Sequence, residues 1–177
     1  MKKYEFTGET KEIRLLFRTA TLHRIRATVA FGIVEVGDLG GWIEKEENLS
    51  HEGKAWVCGD AEVWGNAKVC GDAKVWGNAK VCGDAKVWGN AEVFSASHVL
   101  VIGAIGSRND FTTFYRDKDN EITVKCGCFL GKIDRFLEKV TQTHGDSKYA
   151  LVYRAAVEVA KLQIDLSGEA PKDADEE

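Results

Sequence analysis

Between Ala55 and Val99 a valine returns every sixth residue: Val57, Val63, Val69, Val75, Val81, Val87, Val93 and Val99. An alanine stands two positions before each valine from Ala55 to Ala91, and Ser97 closes the series. Within a hexad such as Ala-Lys-Val-Trp the alternation has period two. Alanine and valine therefore share one face of a short strand, and lysine and tryptophan share the other. Gly-Asp or Gly-Asn then follows, residue types that tolerate the positive φ of a sharp corner. A helix would not accept glycine at every sixth position. Strands of four residues with corners of two are also too short for ordinary hairpins. The pattern predicts a mainly β protein built on an array of coils over residues 55–102.

The flanks are less regular. Residues 11–17 and 22–27 read as strands, and Gly-Asp corner chemistry returns in 36–43, so 1–54 is expected to hold a cap and degenerate first coils. The repeat breaks at Gly103, where 103–110 reads as a linker or shaped loop. Residues 111–116 and 122–129 form a predicted hairpin around a turn at 117–120. Apolar residues at 133, 136, 137 and 140 predict an amphipathic helix over 133–143, stopped by His144-Gly145. A second helix is expected over 148–166, with Leu151, Ala155, Val159 and Leu162 inward. Residues 103–166 thus read as a small ββαα, or α+β, domain, and 167–177 as an acidic disordered tail.

The repeated units AWVCGD, AEVWGN and AKVCGD resemble the hexapeptide repeat of left-handed parallel β-helices. Leu22-His23-Arg24-Ile25, then GDLGGWIEKEENLS and the repeats, extend the likeness to a group of bacterial and phage hexapeptide-repeat proteins over roughly residues 20–100. The resemblance implies three hexads per turn, so that neighbours in the stack lie 18 residues apart, and it implies trimers around a threefold axis. At that spacing Cys58 stacks on Trp76 and Phe94, Trp64 on Cys82 and Leu100, and Cys70 on Trp88. The tryptophans are then spread over three faces. Trp64, Trp76, Trp88 and Phe94 are the candidate oligomer interface, covered either by another subunit or by the C-terminal domain.

Composition narrows the partners. The chain has 177 residues, 44% of them hydrophobic, and a formal charge of −4. That charge disfavours a protein relying on phosphate contacts to nucleic acid. No apolar run reaches membrane-spanning length, and residues 1–5 lack a signal-peptide core, so a cytoplasmic location, in a bacterial host cell, is expected. Five cysteines, an odd number, argue against a disulfide framework.

Candidate chemistry collects after the repeat. Ser107, Arg108, Asn109, Asp110, Thr112, Thr113 and Tyr115 form a dense polar set expected to bind a ligand. Arg108 suits a phosphate or carboxylate, and the 103–106 loop offers backbone N–H groups to an anion. Cys126-Gly-Cys128 is a single C-x-C with only His144 near it, too few ligands for zinc, and neither metal nor cofactor is expected. The function these features favour is a non-enzymatic oligomeric binding protein. Its partners would be its own copies and an anionic small ligand or a host protein. The phage likeness suggests counter-defence by sequestering a nucleotide-type ligand or blocking a host protein. The alternative is a hexapeptide-repeat acyltransferase using acyl-CoA, for which His98, outward on a repeat face, is the one base candidate. A γ-type carbonic anhydrase would need three zinc histidines, which the spacing does not supply.

Overall fold

The computed structural model describes residues 2–168. The expected acidic tail therefore lies, from residue 169 onward, outside the described residues. The protein is mainly β with two helices. Its strands are β1 (Tyr4–Arg14), β2 (Thr19–Ala27) and β3 (Leu39–Ile43), then seven of two residues each: β4 (Trp56–Val57), β5 (Glu62–Val63), β6 (Lys68–Val69), β7 (Lys74–Val75), β8 (Lys80–Val81), β9 (Lys86–Val87) and β10 (Glu92–Val93). After them come β11 (Val99–Ile105), β12 (Asp110–Arg116), β13 (Ile122–Cys126), β14 (Phe129–Lys132), α1 (Ile133–His144) and α2 (Lys148–Gln163).

The two-residue strands pair in parallel with the strand 18 residues on. Thus β4 pairs with β7 and β7 with β10, β5 with β8, and β6 with β9. Hydrogen bonds such as Trp56 N to Ala73 O and Cys58 N to Val75 O, both 2.9 Å, join the layers. Val57 to Val93 and Ala55 to Ala91 point into a common interior and are buried. The corner glycines hold positive φ, from 62° to 75° between Gly59 and Gly89, a region an L side chain rarely occupies.

The ends of this stack are closed in two different ways. At the first end β1 and β2 form a long antiparallel hairpin, and β2 runs antiparallel to β3, which joins β5 in parallel. Gly41 takes an alanine position here because a Cβ would lie 2.7 Å from Ala61 O and 2.9 Å from Val57. Carbonyls left open at this end are met by buried side chains. Lys3 Nζ donates to Ala55 O at 2.7 Å, Tyr4 Oη to Leu49 O at 2.9 Å, and Asn48 Nδ2 to Ala67 O at 2.8 Å. Such satisfaction is required of polar groups removed from water.

At the other end the expected last hexad departs from the coil pattern. Ala96–His98 forms a short 3-10 turn, and Val99 enters β11, which pairs antiparallel with β12. The residues after the repeat form one antiparallel sheet in the order β11-β12-β13-β14. The expected two-stranded hairpin is thus four strands. The 103–110 linker is the end of β11 plus a tight turn, and the expected strand 122–129 breaks at Gly127-Cys128 to turn into β14. The cause is the glycine: Gly127 has φ of 55°, which admits a two-residue hairpin turn.

Strand β12 lies between two cores. Phe114 faces α1 and α2, with Ile122, Val124, Phe136, Tyr153 and Val157. Tyr115 faces the coils and belongs to their core. Its hydroxyl donates to Trp88 O at 2.8 Å, Thr113 Oγ1 accepts from Lys86 N at 3.0 Å, and Ala91 bridges to Asp117. β12 therefore caps the open ladders that further two-residue strands would otherwise have covered.

α1 buries Ile133, Phe136 and Val140, as its periodicity predicts, and ends at Gly145 with φ of 55°. α2 turns the other way round. Its buried residues are Ala150, Tyr153, Ala156, Val157 and Ala160. Leu151, Val159 and Leu162, expected to face inward, are 58%, 48% and 89% exposed, and Ala155 is exposed as well. Small residues at 150, 156 and 160 let the helix approach the sheet closely, and Tyr153 fills the space beside them.

Candidate binding pocket in the C-terminal module

A cavity of about 520 Å³ opens where the β11–β12 turn, the β13–β14 turn and the two helices meet. Phe129, Phe136, Val140 and Tyr153 give it an apolar floor. Ser107, Arg108 and Asp110 line one wall, Cys126, Gly127 and Cys128 a second, and Lys139, Thr143 and His144 a third. Its size suits a small ligand. Arg108 and Lys139 are exposed, and among the described residues neither has an ion-pair partner. Asp110 is the single carboxylate on the wall, and its Oδ2 lies 4.0 Å from Lys86 Nζ. The unneutralised charge at the rim is thus positive although the chain is acidic overall.

The turn is held in place by close packing. Gly106 has φ of 74°, and a Cβ there would overlap the Tyr153 hydroxyl. Tyr153 in turn faces Cys126, whose Sγ is 3.9 Å from the phenol oxygen and accepts from Thr112 Oγ1 at 3.3 Å. Burial, then the neighbouring Cys126 thiol, push the Tyr153 phenol up to about 12. It stays a neutral hydroxyl at any ordinary pH. The His144 ring stacks on Tyr153, with centroids 5.8 Å apart and planes at 29°.

The expected ligand-binding set is divided by the fold. Ser107, Arg108 and Asp110 reach the pocket. Asn109 supports the turn, with φ of 52° and its N–H on Gly106 O at 3.3 Å. Thr112, Thr113 and Tyr115 are not among the pocket's lining residues: all three are buried inside β12. Thr112 is tied to Cys126, Thr113 to the Lys86 amide and Tyr115 to the Trp88 carbonyl. Burial pushes the Tyr115 phenol well above the ordinary tyrosine range, so it too stays a hydroxyl. The sequence reading placed His144 near Cys126 and Cys128, with which it lines this pocket, but missed Lys139, Thr143 and Tyr153. Their spacing on two helices carried a signal for helix but none for a shared cavity.

His98 is likewise not an outward base. It is 2% exposed, its Nδ1 accepts from Phe94 N at 3.4 Å, and its ring meets Phe94 edge-on at 4.2 Å. Burial and the nearby Arg116 guanidinium hold its pKa below the ordinary histidine value. The proposed interface residues Trp64, Trp76, Trp88 and Phe94 are all half-buried within the single chain. Lys125 Nζ lies 4.3 Å from the Trp88 ring, Arg116 lies 4.7 Å from the Phe94 ring, and Trp76 packs edge-on against Phe94 at 6.2 Å. The chain's own C-terminal module thus supplies the cover for Trp88 and Phe94.

One acidic cluster needs an account. Carboxylates of Asp117, Asp119 and Glu121 converge. Lys132 Nζ fills the place between them, 2.5 Å from Asp117, 2.6 Å from Glu121 and 3.6 Å from Asp119. Burial would raise the Asp117 pKa. Hydrogen bonds from Lys132, Thr123 and the N–H groups of Asp119 and Glu121 outweigh it and hold the carboxyl below its usual value. The cluster is a structural ion pair. Among the described residues Cys126 Sγ is hydrogen-bonded to Thr112 and Tyr153. No helix among the described residues is long and apolar enough to cross a membrane. No protein-family model matches the chain, and no curated protein matches it.

Proposed function

We propose that this chain is a non-enzymatic binding protein that captures a small anion with an apolar or aromatic body in the pocket of its C-terminal module. The observation that carries the reading is the pair of unneutralised cations, Arg108 and Lys139, on the rim of an apolar-floored cavity. An anion entering there gains charge-assisted hydrogen bonds from groups that give up no existing partner. The aromatic floor accepts the rest of the ligand. Nucleotides meet both requirements.

In this reading the 18-residue ladders are the coils of a left-handed parallel β-helix, and the coils are a scaffold. The buried Ala/Val interior and parallel pairing at 18-residue intervals support the fold. The likeness to phage hexapeptide-repeat proteins adds a role for the captured nucleotide: sequestration of a signal within an infected bacterial cell. The acyltransferase reading loses support, because its base candidate, His98, is enclosed against Phe94.

The test is calorimetric titration with nucleoside monophosphates, cyclic dinucleotides and coenzyme A. A nucleotide should bind to the wild type, with affinity lost in Arg108→Ala and weakened in Lys139→Ala while the circular dichroism spectrum is unchanged. Binding that survives both substitutions overturns the pocket assignment. Turnover of an acyl-CoA overturns the non-enzymatic reading.

A further inference from the structure

Helix α2 is apolar on two opposite sides. One side, Ala150, Tyr153, Ala156, Val157 and Ala160, is packed inside the module. The other carries Leu151, Val152, Ala155, Val159 and Leu162, all exposed, with Leu162 at 89%. Positions 152, 155, 159 and 162 recur at intervals of three, four and three. That is the seam one helix presents to another. A solvated surface does not select such spacing, and the opposite face already satisfies the needs of the module's core.

We propose that α2 is the interface between two copies of this chain, paired antiparallel about a twofold axis near Ala155. The charges beside the seam specify this partner. Arg154 and Glu158 lie on the same flank of the helix, four residues apart. In an antiparallel pair related by a twofold, like flanks face one another, because the axis returns each flank to the same side of the pair. With the axis at Ala155, Glu158 lies 4.5 Å and the facing Arg154 1.5 Å to the same side along the helix axis, from a rise of about 1.5 Å per residue. The two opposite charges are then within reach, twice per dimer. In the single chain Arg154 reaches the exposed Asp146 at 3.4 Å, Thr141 Oγ1 at 3.3 Å and Gly145 O at 3.1 Å, and Glu158 holds Lys161 at 3.0 Å. All of these contacts lie at the surface, where an ion pair contributes little and a side chain can exchange partners.

The apolar residues fit the same geometry. Leu151 meets the level of the facing Val159, and Leu162 meets that of Lys148, whose stem covers it while the ammonium stays in water. Alanine on the axis permits close approach. The contact is smaller than a standard protein interface, so the dimer should dissociate in the micromolar range. It uses neither the tryptophans of the coils nor the Arg108 pocket, so it stands independently of the proposed function.

Sedimentation velocity across a hundredfold range of protein concentration tests it, with circular dichroism as the control for folding. The wild type should pass from monomer to dimer. Val159→Glu combined with Leu162→Glu should weaken association at least tenfold with the spectrum unchanged. Arg154→Glu and Glu158→Arg should each weaken it, and the two together should restore it, because the swap recreates both pairs. Should the double glutamate variant fail to fold, Ala155→Cys in a background carrying Cys82→Ser and Cys128→Ser should form a disulfide-linked dimer on mild oxidation. A wild type that stays monomeric throughout, a trimer insensitive to the α2 substitutions, or a charge swap that fails to restore association overturns the proposal.

Discussion

Replacing Asp117 with asparagine removes a charge that four donors are built around. The side chain is fully buried, and its oxygens accept from Lys132 Nζ and Thr123 Oγ1 at 2.5 Å, Asp119 N at 3.0 Å and Glu121 N at 3.3 Å. The amide oxygen can still accept from the two backbone N–H groups. Its NH2 then faces the lysine ammonium, donor against donor, while the Thr123 hydroxyl can turn to accept from it. Removing one member of a buried pair costs about 3–5 kcal/mol. Lys132 is 37% exposed and can turn toward water, which places the loss near the lower end, at about 3 kcal/mol. For a chain of this length that corresponds to roughly 6–12 °C in Tm. Urea unfolding followed by far-UV circular dichroism measures it. The acid side supplies a second readout. The folded pKa of Asp117 is depressed, so its stabilisation is complete above the ordinary carboxylate value of about 4 and is lost as pH falls through the lower folded value. The difference in stability between wild type and Asp117→Asn should therefore be constant from about pH 5 to about pH 8 and should shrink below about pH 4. A loss under about 1 kcal/mol, or a difference that persists undiminished at about pH 2, would refute the ion-pair account.

Further consequences can be measured separately. Tyr115→Phe removes the hydroxyl that reaches Trp88 O across the seam between the coils and β12; a loss of about 1–2 kcal/mol is expected, with faster amide exchange along β12. Gly106→Ala forces a Cβ into the Tyr153 hydroxyl and a side chain into positive φ; Tm should fall and nucleotide titration should weaken together, whereas binding at wild-type strength would separate the turn from the site. Deleting residues 67–84 removes one ladder step and should leave a folded chain with its faces in register, the two ends closer by about 4.8 Å. Deleting residues 67–78 should move every later strand to a different face, and a distance measurement between spin labels at Phe17 and Glu138 distinguishes the two. Burial pushes the Cys70 thiol up to about 11, so alkylation near pH 8 should modify exposed Cys128 well before Cys70, as peptide mass mapping will show.

The run of two-residue strands was legible because its information is local. Alternation within each hexad fixes which side chains point inward, and Gly-Asp or Gly-Asn fixes where the chain turns. The parallel ladders at 18-residue intervals follow once identical units stack. α1 was legible for the same reason: its apolar residues occupy one side alone. In the candidate site, Arg108 and its turn neighbours were legible as a polar cluster beside glycine. Lys139 was not, because nothing local says that a turn about 30 residues away folds against it.

Where the sequence reading went astray, a segment was apolar or polar on both sides. Thr112, Thr113 and Tyr115 look like a solvated strand face, yet β12 is held between the coils and the helices, and each hydroxyl finds a partner there. Leu151, Val159 and Leu162 look like the buried face of α2, yet the alanines opposite allow the closer approach and take the core. The sequence by itself determined the repeat, its interior and the helix boundaries to within a few residues, because those depend on neighbours along the chain. Only the tertiary structure decided which side of β12 and of α2 is covered. That choice depends on shape and on hydrogen-bond partners far away in sequence, and composition weighs equally for either side.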